Sequence, residues 1–380
     1  MKHKEIYMDT AASTKPSEAV IQEMINCARD IYGNPSSVHE VGFKAKAKIE
    51  DAKKNISHYL NCLPDELYFT TGATMANNLA IQGWLRANPD GVIVYSSIEH
   101  NDIMMLVNYL KGTGIECIEV PVDKNGFIDI AIFEGIISEL KERSKKFLVT
   151  IQIANNEIGV VQYTTLLSRL THEYGGVYHT DATQFIAHFP MDVEKLGIDM
   201  LSMSGQKIRC IKGTGLLYVR SGVNVLPVIF GEQGLIGGTE NVIGVSCLSV
   251  AFSELDKHNI EFYSDLLSRQ QAFMTSIENI GLKVIGNKIY RLPNNICVMF
   301  QGIDGGNIVQ FLNDKGICAS TGSACSSHVD EPSHVIKALG YSDEEASSCV
   351  RFTIDNNVSY EDLDYVINMI KLYLKYNNEV

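Results

Sequence analysis

The sequence has no run of about 18 apolar residues, so no membrane span is expected. It also has no Cys-x-x-Cys pair. Its nine cysteines are scattered at Cys27, Cys62, Cys117, Cys210, Cys247, Cys297, Cys318, Cys325 and Cys349, and their number is odd. That excludes a disulfide framework and a structural zinc pattern, and it points to a reducing cytoplasm. Most of these cysteines read as small buried hydrophobes. Positive charge is in deficit: the formal net charge is −13, which argues against a broad nucleic-acid surface. There is no internal repeat or low-complexity tract. The polar start, Met1-Lys2-His3-Lys4-Glu5, leads straight into a strand-like run and suggests no signal peptide.

What remains is an ordinary globular composition, 45% hydrophobic and 20% charged over 380 residues, enough for a large core and two domains. Short apolar runs read as buried strands: Leu67 to Thr70, Gly91 to Tyr95, Glu116 to Val120, Phe147 to Ile151 and Gly176 to His179. Helical patterns such as Thr165 to Thr171 lie between several of them. Such alternation implies a largely parallel sheet covered on both faces. After Asn241 the pattern predicts a long helix running towards Ile280 that joins the two domains. Later strand candidates are Ile296 to Phe300, Gly316 to Ser320 and Cys349 to Thr353, as in a smaller α+β domain.

Lys207 stands out. It follows Ser202-Met203-Ser204-Gly205-Gln206 and precedes Gly213-Thr214-Gly215-Leu216, a lone lysine between two strand-like runs among small residues. That setting suits a buried, fixed amine that holds an aldehyde cofactor as a Schiff base. The alternative is a solvated turn lysine. Thr70 to Asn78 places small residues at the opening of a helix, where backbone N–H groups can hold a phosphate or simply cap the helix. His100, in Glu99-His100-Asn101, could stack on a flat ring and move protons, or could be structural. Ala154-Asn155-Asn156-Glu157 follows a strand, so its amides face the ligand crevice of an open sheet or form a turn. Asp181 ends an apolar strand, where a carboxylate needs a partner: a protonated ring nitrogen, or the N–H groups of a helix it caps. Cys325 sits in Ser320-Thr321-Gly322-Ser323-Ala324-Cys325-Ser326-Ser327-His328. Small residues surround it with no apolar packing pattern, which reads as an accessible, reactive thiol.

Together these segments resemble the cysteine desulfurases, the iron–sulfur-cluster branch of the class-V pyridoxal-phosphate enzymes. The likeness runs from Tyr7-Met8-Asp9-Thr10-Ala11-Ala12 to Arg351-Phe352-Thr353 and includes Gly33-Asn34-Pro35-Ser36-Ser37 and Gly238-Thr239-Glu240-Asn241. It implies an α/β chain with the fold-type I architecture of PLP-dependent transferases: a large domain with a mostly parallel central sheet at 13–256, and a smaller α+β domain formed by 1–12 and 257–380. It implies pyridoxal 5'-phosphate (PLP) as cofactor, L-cysteine as substrate, a homodimer, and a sulfur-acceptor or scaffold protein as a further partner. By position, Lys207 would carry the cofactor and shuttle the Cα proton. Asp181 would pair with the ring nitrogen and His100 would stack on the ring. Asn156 and Gln184 would sit at its edge. Ala73, Thr74, Ser204 and Gln206 would cradle the phosphate, and Thr239 would reach the phosphate of the neighbouring subunit. Arg351 and Asn156 would hold the substrate, and Cys325 would take the sulfur as a persulfide.

The pattern also departs from that family. Gln206 stands where histidine is common, Cys210-Ile211 replaces a Gly-Pro, and Gln233 and Ile236 stand in place of two arginines. Met75 and Thr10 replace a common glutamate and asparagine. Weaker phosphate binding, altered substrate handling or dependence on a partner is expected. Two rival readings remain at this point: selenocysteine lysis or β-elimination on the same fold, and an impaired dimer retained for partner binding.

Overall fold

The computed structural model describes residues 5–231, 234–255, 260–322 and 331–378, with backbone only at 260–262 and 377–378. Thirteen strands follow in chain order: β1 (Ile6–Tyr7), β2 (Leu67–Thr70), β3 (Val92–Ser96), β4 (Cys117–Val120), β5 (Phe147–Thr150), β6 (Val177–Asp181), β7 (Met200–Ser204), β8 (Gly215–Val219), β9 (Lys283–Ile285), β10 (Asn295–Met299), β11 (Ile317–Cys318), β12 (Ser320–Thr321) and β13 (Cys349–Thr353).

Seven strands form one sheet in the order β2-β8-β7-β6-β5-β3-β4. Pairing is parallel from β4 through β7, and β8 runs antiparallel between β7 and β2. Strands β3, β5, β7 and β8 are buried along their whole length, as near-continuous apolar strands covered on both faces must be. The pleat sorts their side chains. Val92, Val94, Phe147, Val149, Leu216 and Tyr218 enter the core on one face, with Phe133, Ile137 and Leu140. Their neighbours Ile93, Tyr95, Leu148 and Leu217 enter the core on the other, with Leu79, Trp84 and Val107. Truncating a fully buried member such as Leu148 to alanine costs about 2–5 kcal/mol.

A four-stranded antiparallel sheet, β12-β13-β10-β9, lies in the last third of the chain. The start of the chain joins it: β1 pairs in parallel with β11, and Ile6 and Met8 pack with Ile317, Val350 and Phe352. Asp9 bridges to Thr353, which carries the segment Ala11-Ala12 across towards the larger sheet.

One expectation needs correction. The predicted strand from Gly316 to Ser320 is two short strands, because the run changes partner at Ala319. Ile317 and Cys318 pair with Ile6 and Tyr7, whereas Ser320 and Thr321 pair with Arg351 and Val350. The stretch predicted as helical after Asn241 is helical at Val242–Leu255 and at Ile260–Asn279, and 256–259 lie outside the described residues.

Candidate active site

The parallel strands all end at one rim, and their following loops carry the sequence candidates there. Gly72 follows β2, His100 follows β3, the segment Gln152 to Asn156 follows β5, Asp181 ends β6, and Ser204 to Lys207 follows β7. Open α/β sheets bind ligands at this end. A cavity of about 300 Å³ lies there, lined by Ala73, Thr74, His100, Asn156, Asp181, Gln184, Ser204, Gln206, Lys207 and Arg351 together with Ala11, Ala12, Asp102 and Gln152. A larger cavity of about 630 Å³ lies behind it and shares Lys207 and Gln184. The chemistry sits in the smaller one, because only there do Asp181, His100 and Arg351 meet the lysine.

The rim is shaped to hold an anion. Helix Ala73–Ala87 starts at Gly72, which has φ 152° and no side chain bonded to the first N–H groups. A side chain is strained at that φ, so glycine suits the position. Gly215 presses on the same turn: a Cβ there would lie 2.6 Å from Gly72 Cα. The backbone donors of Ala73 and Thr74, the helix dipole and the hydroxyl of Ser204 therefore surround one end of the cavity. The lysine and arginine among the lining residues are Lys207 and Arg351.

Acids also gather around the cavity, and Thr74 touches one of them, Asp102. Asp181 is buried; its Oδ2 accepts from Asn77 Nδ2 at 2.9 Å and its Oδ1 from the Thr183 amide at 2.9 Å. Burial pushes its pKa up, and the charge of Asp102 adds to this, against Asn77 and Thr183. A buried carboxylate in that state gains from a protonated ring nitrogen. Asp102 differs. Burial raises it, yet the His100 contact and charge, with Thr74 and Asn77, hold it below the usual carboxylate range. Glu99 is wholly buried and pushed well up by burial; Oε1 accepts from the Gln152 amide at 2.8 Å, and Oε2 has no partner among the described residues. Nearby His179 is a core histidine held by Thr150 and Ser202 and lowered to about 3 by burial, so it stays neutral.

Lys207 is half-buried, not fully enclosed as expected. Its Nζ donates to the carbonyls of Ala11 and Ala12 at 2.7 and 2.6 Å. Gln184 donates to Ala11 O at 2.9 Å, so the chain's first turn forms part of the wall. Arg351, 2% exposed, donates from Nη2 to Asp9 Oδ1 at 2.8 Å and from Nη1 to Asn156 O at 3.2 Å. Its Nε has no partner among the described residues, so donors remain for an incoming carboxylate.

Thr239 does not line the cavity and is exposed. Cys325 and Gln233 lie outside the described residues. Ile236 makes a backbone bridge to Ile229. The roots of the segment 323–330 are described. Both meet Glu157, a fully buried acid: Ser333 Oγ donates to its Oε2 at 2.5 Å, and a Cβ on Gly322 would lie 2.5 Å from the same oxygen. Glu157, Asn77, Asp102 and the Asp9 partner of Arg351 were not among the residues singled out from sequence. Asp102 had one available signal, its place two residues after His100 at a helix start.

The family model "Aminotransferase class-V" matches residues 6–366. The chain belongs to the class-V aminotransferase family. Relatives named cysteine desulfurase IscS occur in Dictyoglomus turgidum, 35% identical over 97% of this chain and 94% of the relative, and in Methanosarcina thermophila, 37% identical over 97% and 92%. A solved structure titled NifS-like protein superposes with a TM-score of 0.91 at 29% identity, covering 98% of this chain and all of that one. Another, "SspA in complex with cysteine", has a TM-score of 0.79 at 30% identity, covering 92% and 99%. Class-V aminotransferases and cysteine desulfurases are PLP-dependent, and the α/β architecture with its mostly parallel sheet is theirs.

Proposed function

We propose that the protein is a PLP-dependent cysteine desulfurase that converts L-cysteine to L-alanine and leaves the sulfur as a persulfide on Cys325, for transfer to iron–sulfur cluster assembly or thiolation. The observation that carries this reading is the convergence of Lys207, Asp181, His100 and Arg351 on one cavity, in a chain 35–37% identical to relatives of that name over nearly their full length. The residues fit the cofactor. The start of helix Ala73–Ala87 with Thr74, Ser204 and Gln206 would hold its phosphate. Asp181 would take its ring nitrogen, His100 and Asn156 would flank the ring, and Gln184 would sit at its edge.

Bound PLP supplies an electron sink for negative charge at the substrate Cα. Arg351 holds the substrate carboxylate through its planar fork, steadied by Asp9 and the Asn156 carbonyl. Lys207 removes the Cα proton as its neutral amine, after it has given up its ammonium proton and left the carbonyls of Ala11 and Ala12. The Cys325 thiolate then attacks the substrate sulfur. An S–S bond forms, the Cβ–S bond breaks, and Cβ keeps the electron pair and takes up a proton to give alanine. The other cysteines suit this poorly. The Cys349 contact and then burial raise the Cys297 thiol; burial raises Cys27, Cys210 and Cys318, and pushes Cys62 and Cys247 to about 12 and Cys117 to about 11.

Exposed Leu226, Ile229 and Phe230 lie on the same stretch of chain as Thr239 and support a homodimer in which Thr239 meets the partner's phosphate. No helix among the described residues is long and apolar enough to cross a membrane. The eight described cysteines are all free, which suits a reducing, cytoplasmic location. Residues 13–256 form the cofactor domain, and 1–12 with 257–380 the smaller one.

The test is to incubate purified protein with PLP and L-cysteine and to measure alanine and a persulfide on Cys325 by mass spectrometry. Cys325→Ala should bind PLP yet release no alanine. Alanine released by that variant would instead favour a lyase on the same fold.

A further inference from the structure

One carboxylate beneath the cavity gathers three side chains of the site. Asp102 Oδ1 lies 2.8 Å from His100 Nδ1, and its Oδ2 accepts from Asn77 Nδ2 at 3.3 Å. The Thr74 hydroxyl also bonds to it. The same Asn77 amide donates to Asp181 Oδ2 at 2.9 Å. Asp102 is 9% exposed, so little water competes for these contacts.

His100 Nδ1 has two neighbours that ask opposite things of it. The Asp102 backbone N–H lies 3.3 Å away and would need a lone pair there. The Asp102 carboxylate is closer. If Nδ1 carried no proton, two lone pairs would face each other across 2.8 Å, unless Asp102 itself were protonated. The carboxylate contact is the shorter and is little exposed to water, and an ionised Asp102, which His100, Thr74 and Asn77 favour against burial, would place the proton on Nδ1. The other charged groups that face His100 are Glu99 ahead of it, Asp181 on β6 and Glu157 after β5. Lys207 and Arg351 line the same cavity.

We infer that Asp102 is a positioning residue for His100: it fixes the ring with its proton on Nδ1 and so makes Nε2 the nitrogen that gains and loses protons at the cavity. Asn77 ties this pair to Asp181, so the carboxyl group facing the ring nitrogen and the histidine flanking the ring share one amide. Two acidic side chains are thereby held at a fixed separation, with a donor between them instead of open repulsion. The role of Nε2 in turnover rests on the reading of His100 given above. The tautomer does not.

The test uses the full chain without added PLP, labelled with 15N-histidine, in long-range 1H–15N NMR between pH 5 and 9. His100 is assigned by the signals lost in His100→Gln. The wild type should show His100 as the Nδ1–H tautomer. In Asp102→Asn the tautomer should shift towards Nε2–H, and the His100 titration midpoint should fall by about one unit, since an adjacent anion favours the imidazolium. In PLP-loaded protein the matching limb of the kcat/KM pH profile should move the same way, while KM for L-cysteine stays within about twofold. An Nε2–H tautomer in the wild type overturns the inference, and that measurement stands even if the variant fails to fold. An unchanged His100 titration in Asp102→Asn overturns it equally. Alanine release by the wild type tests the desulfurase reading separately, and its absence would leave the NMR result intact.

Discussion

Removing Asp9 should leave the Arg351 guanidinium buried without its counter-charge. Arg351 is 2% exposed and Asp9 is 20% exposed. Breaking a fully buried ion pair by deleting one partner costs about 3–5 kcal/mol. Here Asp9 keeps some contact with water, and Arg351 keeps the Asn156 carbonyl at 3.2 Å. Asp9→Ala should therefore cost about 2–3 kcal/mol, at or below the lower end of that range. Asp9→Asn retains an oxygen to accept from Nη2 and should cost about 1 kcal/mol. Arg351→Met removes the stranded cation, so Asp9→Ala added to it should cost little. The coupling from the double-mutant cycle should be about 2 kcal/mol. Urea unfolding followed by circular dichroism, with midpoint shifts converted through a common slope, reads it out. Additivity of the two changes within about 0.5 kcal/mol would refute the claim that the pair is desolvated and mutually dependent.

Further expectations follow from the acids and the phosphate end. Gln206→His should tighten PLP binding about five- to tenfold below pH 7, because a charged donor replaces a neutral one; equal affinity by absorbance titration would remove the argument from missing cations. Glu99 is held well above its usual range in the folded chain, so the unfolded chain releases that proton first and stability falls as pH rises above about 4.3 towards the folded value. Glu99→Gln keeps the acceptor for the Gln152 amide and should raise the urea midpoint at pH 8 but not at pH 4; a gain at both would show that charge is not the cause. Ser333→Ala removes the donor to Glu157 and the cap of helix His334–Ala338. Persulfide formation on Cys325 should slow while PLP affinity holds, and parallel loss of both would place the effect in general misfolding instead.

Much of the fold was legible from residue pattern. The apolar runs that became β2 to β6, β10 and β13 are short and bounded by turn residues, which favours strands over helices; β4, with Glu119 exposed, is the least buried of them. The split of Gly316 to Ser320 into β11 and β12 was not, because a change of strand partner leaves no periodic trace in five residues. Most of the site was legible through its order along the chain: ten of its candidate residues line one cavity. Thr239 needs a second subunit to be judged, and Cys325 falls outside the described residues.

Residue pattern alone says which chemical groups exist and at which strand ends they fall: Lys207 after β7, Asp181 ending β6, His100 after β3 and Arg351 in β13. These follow from local pattern, since a strand's length and polarity fix where its C-terminal end lies. How those groups are held depends on contacts between segments far apart in the chain. Asp9 meets Arg351 across 342 residues and Asn77 meets Asp181 across 104, and no local rule encodes such pairs. Burial then sets their charge. Burial raises Asp102, yet its contacts with His100, Thr74 and Asn77 hold it below the usual carboxylate range, while Glu99, three residues earlier, is pushed well up by the loss of water.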